Sequence, residues 1–263
     1  MFAGAWILAL VAVGVVASFP SRIGQDSRAY WLAWHEGMYG ARALFGGPDA
    51  YLYSPAFAAA IWPLAQLPLA AFTVLWDCLA IASWSWLLWP LRPAYRFPLL
   101  VAVAAISLVG NIEWLIALSL VAAVSYEVAW AVPLLTKVSL GVGAAWYVFR
   151  GEWSRLVRVV AAVAVVVALT AFLPWGDWLR LLLSHGSSGG YVVDLAIPTW
   201  ARVALALPLL AWGARTERSW VLPVVTVFAS PDVWIGTLAI LAALPRMRLV
   251  ARPMTRHSVL AQA

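Results

Sequence analysis

Cysteine, histidine and charged residues are all scarce in this sequence of 263 residues. It has 1 cysteine and 3 histidines, and charged residues make up 11% of the chain. A single thiol excludes internal disulfides and paired-thiol redox chemistry. His35, His185 and His257 are too far apart to form a metal-ligand motif. We therefore expect no metal site. We expect no cofactor either, since the sequence has no glycine-rich phosphate-binding loop.

Apolar residues, in contrast, are present in large excess. They form 65% of the chain, and the mean hydropathy is +0.90. A soluble domain is about half apolar and about a quarter charged, so the surplus is expected to face lipid. A helical span needs about 20 apolar residues. The composition predicts an all-α, polytopic transmembrane bundle of about ten spans, with residues 1–263 as a single integral membrane domain.

Ten apolar runs separated by polar or helix-breaking residues give the predicted spans. They cover residues 2–19, 54–67, 69–89, 97–110, 112–131, 134–149, 156–174, 199–214, 219–229 and 234–245. No basic segment precedes the first run, so we interpret it as a transmembrane helix rather than a cleaved signal peptide. The shortest runs would extend over only about 17–21 Å as helices, which is typical of partial-depth or re-entrant segments.

Two longer polar segments interrupt the pattern, at residues 20–53 and 175–198. In the first, apolar side chains recur at roughly helical spacing, which predicts an amphipathic helix on the membrane surface. These side chains are Tyr30, Trp31, Trp34, Met38 and Leu44. The second segment is predicted to be a loop.

The arginines indicate the orientation. The net charge of +6 would raise nucleic acid as a partner of a soluble protein, but here the arginines lie in short loops between spans. Alternating spans place three basic groups on one side, which predicts a cytoplasmic C-terminus and an outer location for residues 20–53 and 175–198. The groups are Arg150, Arg155 and Arg158; Arg215 and Arg218; and Arg246, Arg248, Arg252 and Arg256. Arg92 and Arg96 conflict with this arrangement, because ten spans place them outside. Either their loop is an exception, or one early apolar run is re-entrant.

Two charged residues stand out as candidates for chemistry. Asp26, flanked by Arg22 and Arg28, begins the predicted amphipathic helix, where it is either a reactive carboxylate or a helix N-cap. Lys137 interrupts an apolar run, where it either binds a lipid-linked phosphate or extends its charge to the membrane interface. Trp31 could in addition stack on a sugar ring.

The order of short motifs resembles glycosyltransferase family 87, the polyprenyl-phosphate-mannose-type mannosyltransferases with the GT-C membrane fold. The elements are Asp26 with Tyr30; Tyr51, Tyr53, Ser54 and Pro55; Pro63, Leu64, Leu67 and Pro68; Gly110, Asn111 and Glu113; Lys137; Arg150 with Trp153; and Ser230, Pro231, Asp232 and Trp234. The resemblance extends over most of the chain.

This resemblance implies a membrane glycosyltransferase that moves a sugar, expected to be mannose, from a polyprenyl-phosphate donor to a lipid or glycan acceptor at the outer face, with inversion. Asp26 would be the general base, and Lys137 with Arg22 or Arg28 would neutralise the departing phosphate. The sugar site would involve Tyr30, Trp31, Tyr53 and Asp232.

Departures from the family pattern keep an alternative open. Ser54, Asn111 and Val138 replace residues that the pattern expects to be proline, glutamine and proline. The alternative is a catalytically degenerate GT-C scaffold, or a transporter, that binds lipid or a partner. No nucleic-acid partner is expected under either hypothesis.

Overall fold

The computed structural model describes residues 2–39, 49–184, 197–230 and 233–250. Of these described residues, 79% are helical and none lies in a strand. The all-α prediction is therefore confirmed. The α-helices are α1 (Phe2–Ser18), α2 (Gln25–His35), α3 (Pro55–Ala65), α4 (Leu69–Leu88), α5 (Pro93–Ser107), α6 (Glu113–Ala123), α7 (Ala131–Thr136), α8 (Ala145–Arg150), α9 (Trp153–Leu169), α10 (Trp175–Ser184), α11 (Thr199–Arg215), α12 (Val221–Ala229), α13 (Ile235–Leu238) and α14 (Leu244–Val250). Four 3₁₀ turns connect them, at Pro20–Arg22, Glu127–Trp130, Val138–Ala144 and Ala239–Ala243.

Most of these helices are shorter than a bilayer span. Within the described ranges, α4 is the one helix that is both long and apolar enough to cross a membrane. Helix α1 and the segment Pro20–His35, which meet at 86°, would provide a second membrane-crossing element if they formed one broken span. Several others have 17 residues, or about 26 Å, which is slightly less than the hydrocarbon thickness.

Helix α1 packs along α5 through small side chains. Ala9 and Ala12 contact Ala102 and Ile106, and all four are buried. Alanine lets two backbones approach closely, which is how helices associate in lipid. This pairing places the end of α5 beside the start of α2.

The predicted span 112–131 is in fact the first helix and the turn of a hairpin. Helix α6 ends at Ala123, and after the turn Glu127–Trp130 helix α7 runs back. The return is demonstrated by Lys137, just after α7, whose Nζ lies 2.8 Å from Oε1 of Glu113 at the start of α6. Ser125, Tyr126 and Glu127 interrupt the apolar residues at this turn, but so short an interruption did not predict a reversal of the chain.

The contacts of Gly110 and Arg96 bear on the conflict between Arg92, Arg96 and the other basic groups. In the ten-span arrangement Gly110 lies on the opposite side from residues 20–53, whereas in the structure it contacts the start of α2. Arg96 binds the carbonyls of Trp89 and Leu91, at the other end of α5. Arg92 and Arg96 therefore lie a helix length away from α2, and their conflict with the other basic groups disappears.

Helix α3, which was predicted as a span, is shorter than a bilayer is thick. It has 11 residues and begins at Pro55, and the hydroxyl of its N-cap residue Ser54 accepts a hydrogen bond from the amide of Phe57. Pro55 occupies its first turn, where proline is tolerated because no intrahelical N–H is needed there. The run at 54–67 thus forms a helix of 11 residues, which is shorter than a bilayer span.

The two segments predicted to share one face are in contact. Residues 175–184, expected to be a loop, form helix α10, and Trp178 on it donates a hydrogen bond of 3.3 Å to the carbonyl of Leu52. Helix α2 is confirmed, but its inner face is more deeply covered than a surface helix would be, because Ala29, Tyr30 and Ala33 are buried. Leu44 lies outside the described residues.

Candidate active site

The site forms where the N-terminus of α2 meets the turn between α5 and α6. The first amides of a helix have no intrahelical acceptor and need another partner. Here the amide of Gly24 donates to the carbonyl of Leu108 at 2.7 Å, and the amide of Asp26 donates to Val109 at 2.9 Å. These two bonds fix Asp26 beside residues 110–113, one of the motifs noted in the sequence.

Glycine at position 110 makes this contact possible. Its φ of +90° is a conformation that other residues rarely adopt, and a Cβ built there would lie 2.5 Å from the backbone nitrogen of Ser27. Trp76 on α4 supports the turn from the other side, with its indole nitrogen 2.9 Å from the carbonyl of Gly110. The turn is therefore held between α2 and α4.

Asp26 lies in the first turn of α2 and is half-buried. The N-cap position belongs to Gly24, without a side-chain cap bond, so the interpretation of Asp26 as the N-cap is wrong. Burial, with a further contribution from the Glu113 carboxylate, raises the pKa of Asp26 to about 7, against the opposing charges of Lys137 and Arg22. A carboxyl group in this state can exchange a proton near neutral pH.

Lys137 and Glu113 form an ion pair next to Asp26. The Lys137 ammonium donates to Glu113 at 2.8 Å, and the Glu113 side chain is 1% exposed. A buried pair of this kind holds its lysine in a fixed position. Lys137 does not reach freely into solvent, since its side chain is 17% exposed, which argues against simple extension to the interface.

Two tyrosines complete the inner wall. The hydroxyl of Tyr30 lies 3.3 Å from that of Tyr53, and both residues are buried. Burial raises the pKa of both hydroxyl groups, so both stay protonated and can donate hydrogen bonds. Asp26, Glu113 and these tyrosines all influence one another electrostatically.

Several polar atoms on residues 111–114 have no hydrogen-bond partner in the described structure. They are Nδ2 of Asn111, Oε2 of Glu113 and Nε1 of Trp114. Each belongs to a buried residue. Buried polar groups are nearly always satisfied, so the concentration of such atoms here indicates that a polar molecule or water binds at this turn.

The structure brings together five of the residues predicted from the sequence and separates two. The positive charges of Lys137 and Arg22 act electrostatically on Asp26. The Asp26 carboxylate in turn acts on the hydroxyl groups of Tyr30 and Tyr53. Arg28 points elsewhere and forms a two-bond ion pair with Asp49, with both contacts at 2.6 Å.

Trp31 is the other residue that is separated from the group. Its ring stacks on His35, with the centroids 3.6 Å apart, and its indole nitrogen donates to the carbonyl of Leu67. Asp232, also predicted for the sugar site, lies outside the described residues.

Glu113 was not predicted as a site residue. The only sequence signal was a carboxylate in an apolar run, 24 positions before a lysine in another. The sequence shows both charged residues, but a separation of 24 positions does not predict a contact unless the hairpin between them is known.

Among the described residues no group of three or more histidine, cysteine, aspartate or glutamate side chains could hold a metal ion. Chemically, the arrangement offers a proton acceptor, a fixed ammonium group and neutral hydroxyl donors.

Comparison of the chain with protein-family models, with curated proteins and with solved structures finds no match.

Proposed function

We propose that this protein resides in a membrane and transfers a sugar, expected to be mannose, from a polyprenyl phosphate to a hydroxyl group of a lipid or glycan acceptor. The observation that carries the proposal is the placement of Asp26, with a pKa of about 7, beside the ammonium of Lys137. One group can accept a proton, and the other can stabilise a phosphate.

The membrane part of the proposal rests on apolar side chains that face outward from several helices. Leu10 of α1 is 69% exposed, Val74 of α4 is 62% exposed and Leu169 of α9 is 71% exposed. Water-soluble proteins rarely display so many large apolar side chains on neighbouring surfaces. A lipid environment would cover them.

In the proposed reaction the acceptor oxygen attacks the anomeric carbon, and the bond from that carbon to the phosphate oxygen breaks. The electron pair leaves with the polyprenyl phosphate, which is a stable anion and needs no acid. The Asp26 carboxylate takes the proton of the acceptor hydroxyl. A single displacement inverts the anomeric centre.

Lys137 would stabilise the negative charge on the departing phosphate, and Arg22 would add a second positive charge at the start of α2. Glu113 would keep the Lys137 ammonium in position through its 2.8 Å contact. Tyr30 and Tyr53 would donate hydrogen bonds within the same wall. Arg28 has no part in this scheme, because Asp49 binds its guanidinium.

The experiment is a transfer assay with the full chain in lipid vesicles. Radiolabelled polyprenyl-phosphate mannose and polyprenyl-phosphate glucose are supplied as donors, and membrane glycolipid is supplied as the acceptor. We expect label to move to the acceptor, with the opposite anomeric configuration in the product. Absence of transfer from every polyprenyl-phosphate sugar would remove the enzyme assignment.

A transport function is the second candidate, and the broken helices favour it. Helix α1 and the segment Pro20–His35 meet at 86°, and α6 and α7 form a hairpin of short helices with the buried Lys137–Glu113 pair at its open end. Transporters build their binding sites from such discontinuous helices. Substrate-dependent flux in proteoliposomes, without any bond cleavage, would support transport over transfer.

A further inference from the structure

A cavity lies at the far end of α6 from Asp26. Its volume is about 40 Å³, and its lining includes Trp130, Trp146, Tyr147, Arg155, Ser219 and Leu222. It therefore lies between the turn Glu127–Trp130 and helices α8, α9 and α12. A cavity of this size holds a few water-sized groups and is too small for a sugar or a nucleotide.

Two side chains of the lining, Ser219 and Arg155, carry hydrogen-bond donors. Ser219 is 5% exposed, and its Oγ has no hydrogen-bond partner. Arg155 forms a 3.3 Å ion pair with Glu152, its side chain is 45% exposed, and its guanidinium group carries five N–H donors. An unsatisfied buried hydroxyl is costly, which indicates that it binds a group not present here.

The rest of the cavity wall is apolar or already satisfied. Tyr147 donates its hydroxyl to the carbonyl of Ala123 at 2.9 Å, and Trp130 is 1% exposed. The lining thus offers two donors, the Ser219 hydroxyl, which has no partner among the described residues, and the Arg155 guanidinium. A positively charged donor and a neutral one, within aromatic walls, suit a compact anion with several acceptor oxygens.

The surroundings of the cavity resemble a membrane interface. Trp153, at the start of α9, and Tyr126, just before the turn Glu127–Trp130, are 60% and 70% exposed. Exposed tryptophan and tyrosine are typical of the headgroup level of a bilayer. The arginines nearby belong to the basic groups that predict the cytoplasmic side, where anionic lipids bind basic pockets between helices.

We propose that this cavity binds the phosphate of an anionic phospholipid, with Arg155 and Ser219 donating hydrogen bonds to its oxygens. The inference rests on the membrane location in the proposed function, but not on sugar transfer. Because the cavity is small, the phosphate group would enter it while the acyl chains stay along the apolar outer surfaces of the helices.

The test is lipid retention by the full chain, measured by native mass spectrometry after extraction from phosphatidylcholine membranes with and without phosphatidylglycerol. We expect the parent protein to retain phosphatidylglycerol in preference to phosphatidylcholine. Arg155→Gln and Ser219→Ala should each lower this retention, by about tenfold for the arginine, since each removes a hydrogen bond to a charged group. Thermal unfolding in detergent verifies that both variants fold.

Arg158→Gln is the matched control. Arg158 is on the same helix and carries the same charge, but it pairs with Glu127 and does not line the cavity. It should keep full retention. An equal loss in Arg158→Gln would mean that only general surface charge matters, and the site would be rejected.

Two further outcomes would also overturn the proposal. If inorganic phosphate raises the unfolding temperature of the parent as much as phosphatidylglycerol does, the site takes free phosphate rather than a lipid. If Ser219→Ala stabilises the protein and leaves lipid retention unchanged, its hydroxyl is merely unsatisfied. Sugar transfer is measured separately, so a failure here leaves that activity intact.

Discussion

Replacing Gly110 with alanine should be severely destabilising, because two separate penalties act at this position. The φ of +90° disfavours any residue with a Cβ, at a cost of roughly 1–2 kcal/mol. The new methyl group would also lie 2.5 Å from the Ser27 backbone nitrogen and 2.8 Å from the Ser27 Cβ. Overpacking against backbone adds about 1–3 kcal/mol. We expect Gly110→Ala to lower the free energy of unfolding by roughly 2–5 kcal/mol.

Gly37 provides a matched control for the backbone term. Its φ is +97°, and a Cβ built there meets nothing within 4 Å. Gly37→Ala should therefore show the conformational penalty alone. The two variants are compared by thermal or denaturant unfolding in the same detergent, and the difference between them isolates the clash with Ser27. If Gly110→Ala is no more destabilising than Gly37→Ala, the docking of α2 on the turn described above is incorrect.

Three further predictions concern the ion pair, the pH dependence and the orientation. Lys137→Met should lower the free energy of unfolding by about 3–5 kcal/mol, because it leaves the buried Glu113 unpaired. Adding Glu113→Gln to Lys137→Met should restore the free energy of unfolding but not the binding of the polyprenyl-phosphate sugar. If the double variant recovered both, the role of the ion pair would be purely structural. The pKa of Asp26 is 3.8 when unperturbed and about 7 in the folded state. The folded protein thus keeps a proton that the unfolded chain has lost, and stability should fall as the pH rises from about 4 to about 7. Titrating unfolding across that range should show a flatter curve for Asp26→Asn, and identical curves would refute the assignment. In a cysteine-free background, Ser21→Cys should react with an impermeant thiol reagent from outside and Ser154→Cys should not; the reverse pattern would invert the orientation.

The helical content and the position of α2 could be predicted from the sequence, since both depend on local pattern. Apolar runs and helix breakers gave most helix boundaries, and Asp26 was singled out by its place at the start of an amphipathic segment. These signals are contained within a few turns of chain, so they do not need knowledge of the tertiary structure.

The partners of Asp26 could not be found in the same way. Glu113 and Lys137 meet only because α6 and α7 form a hairpin, and the few polar residues between them, such as Ser125 and Glu127, do not predict that reversal. The Gly110 turn was visible as a break, but its contact with Ser27 depends on how α1 packs on α5. The number of spans could not be fixed from the sequence for a similar reason, because composition does not distinguish a short helix such as α3 from a full span.

The most direct test of the central claim is the rate of sugar transfer by Asp26→Asn relative to the parent, measured at pH 8 in the vesicle assay. Asparagine nearly preserves the shape of the side chain and removes the proton acceptor. We predict a rate lower by about 10²–10⁴-fold, with folding intact, because a general base contributes that much. A variant rate within a few-fold of the parent would contradict the account and would leave Asp26 with a structural role only.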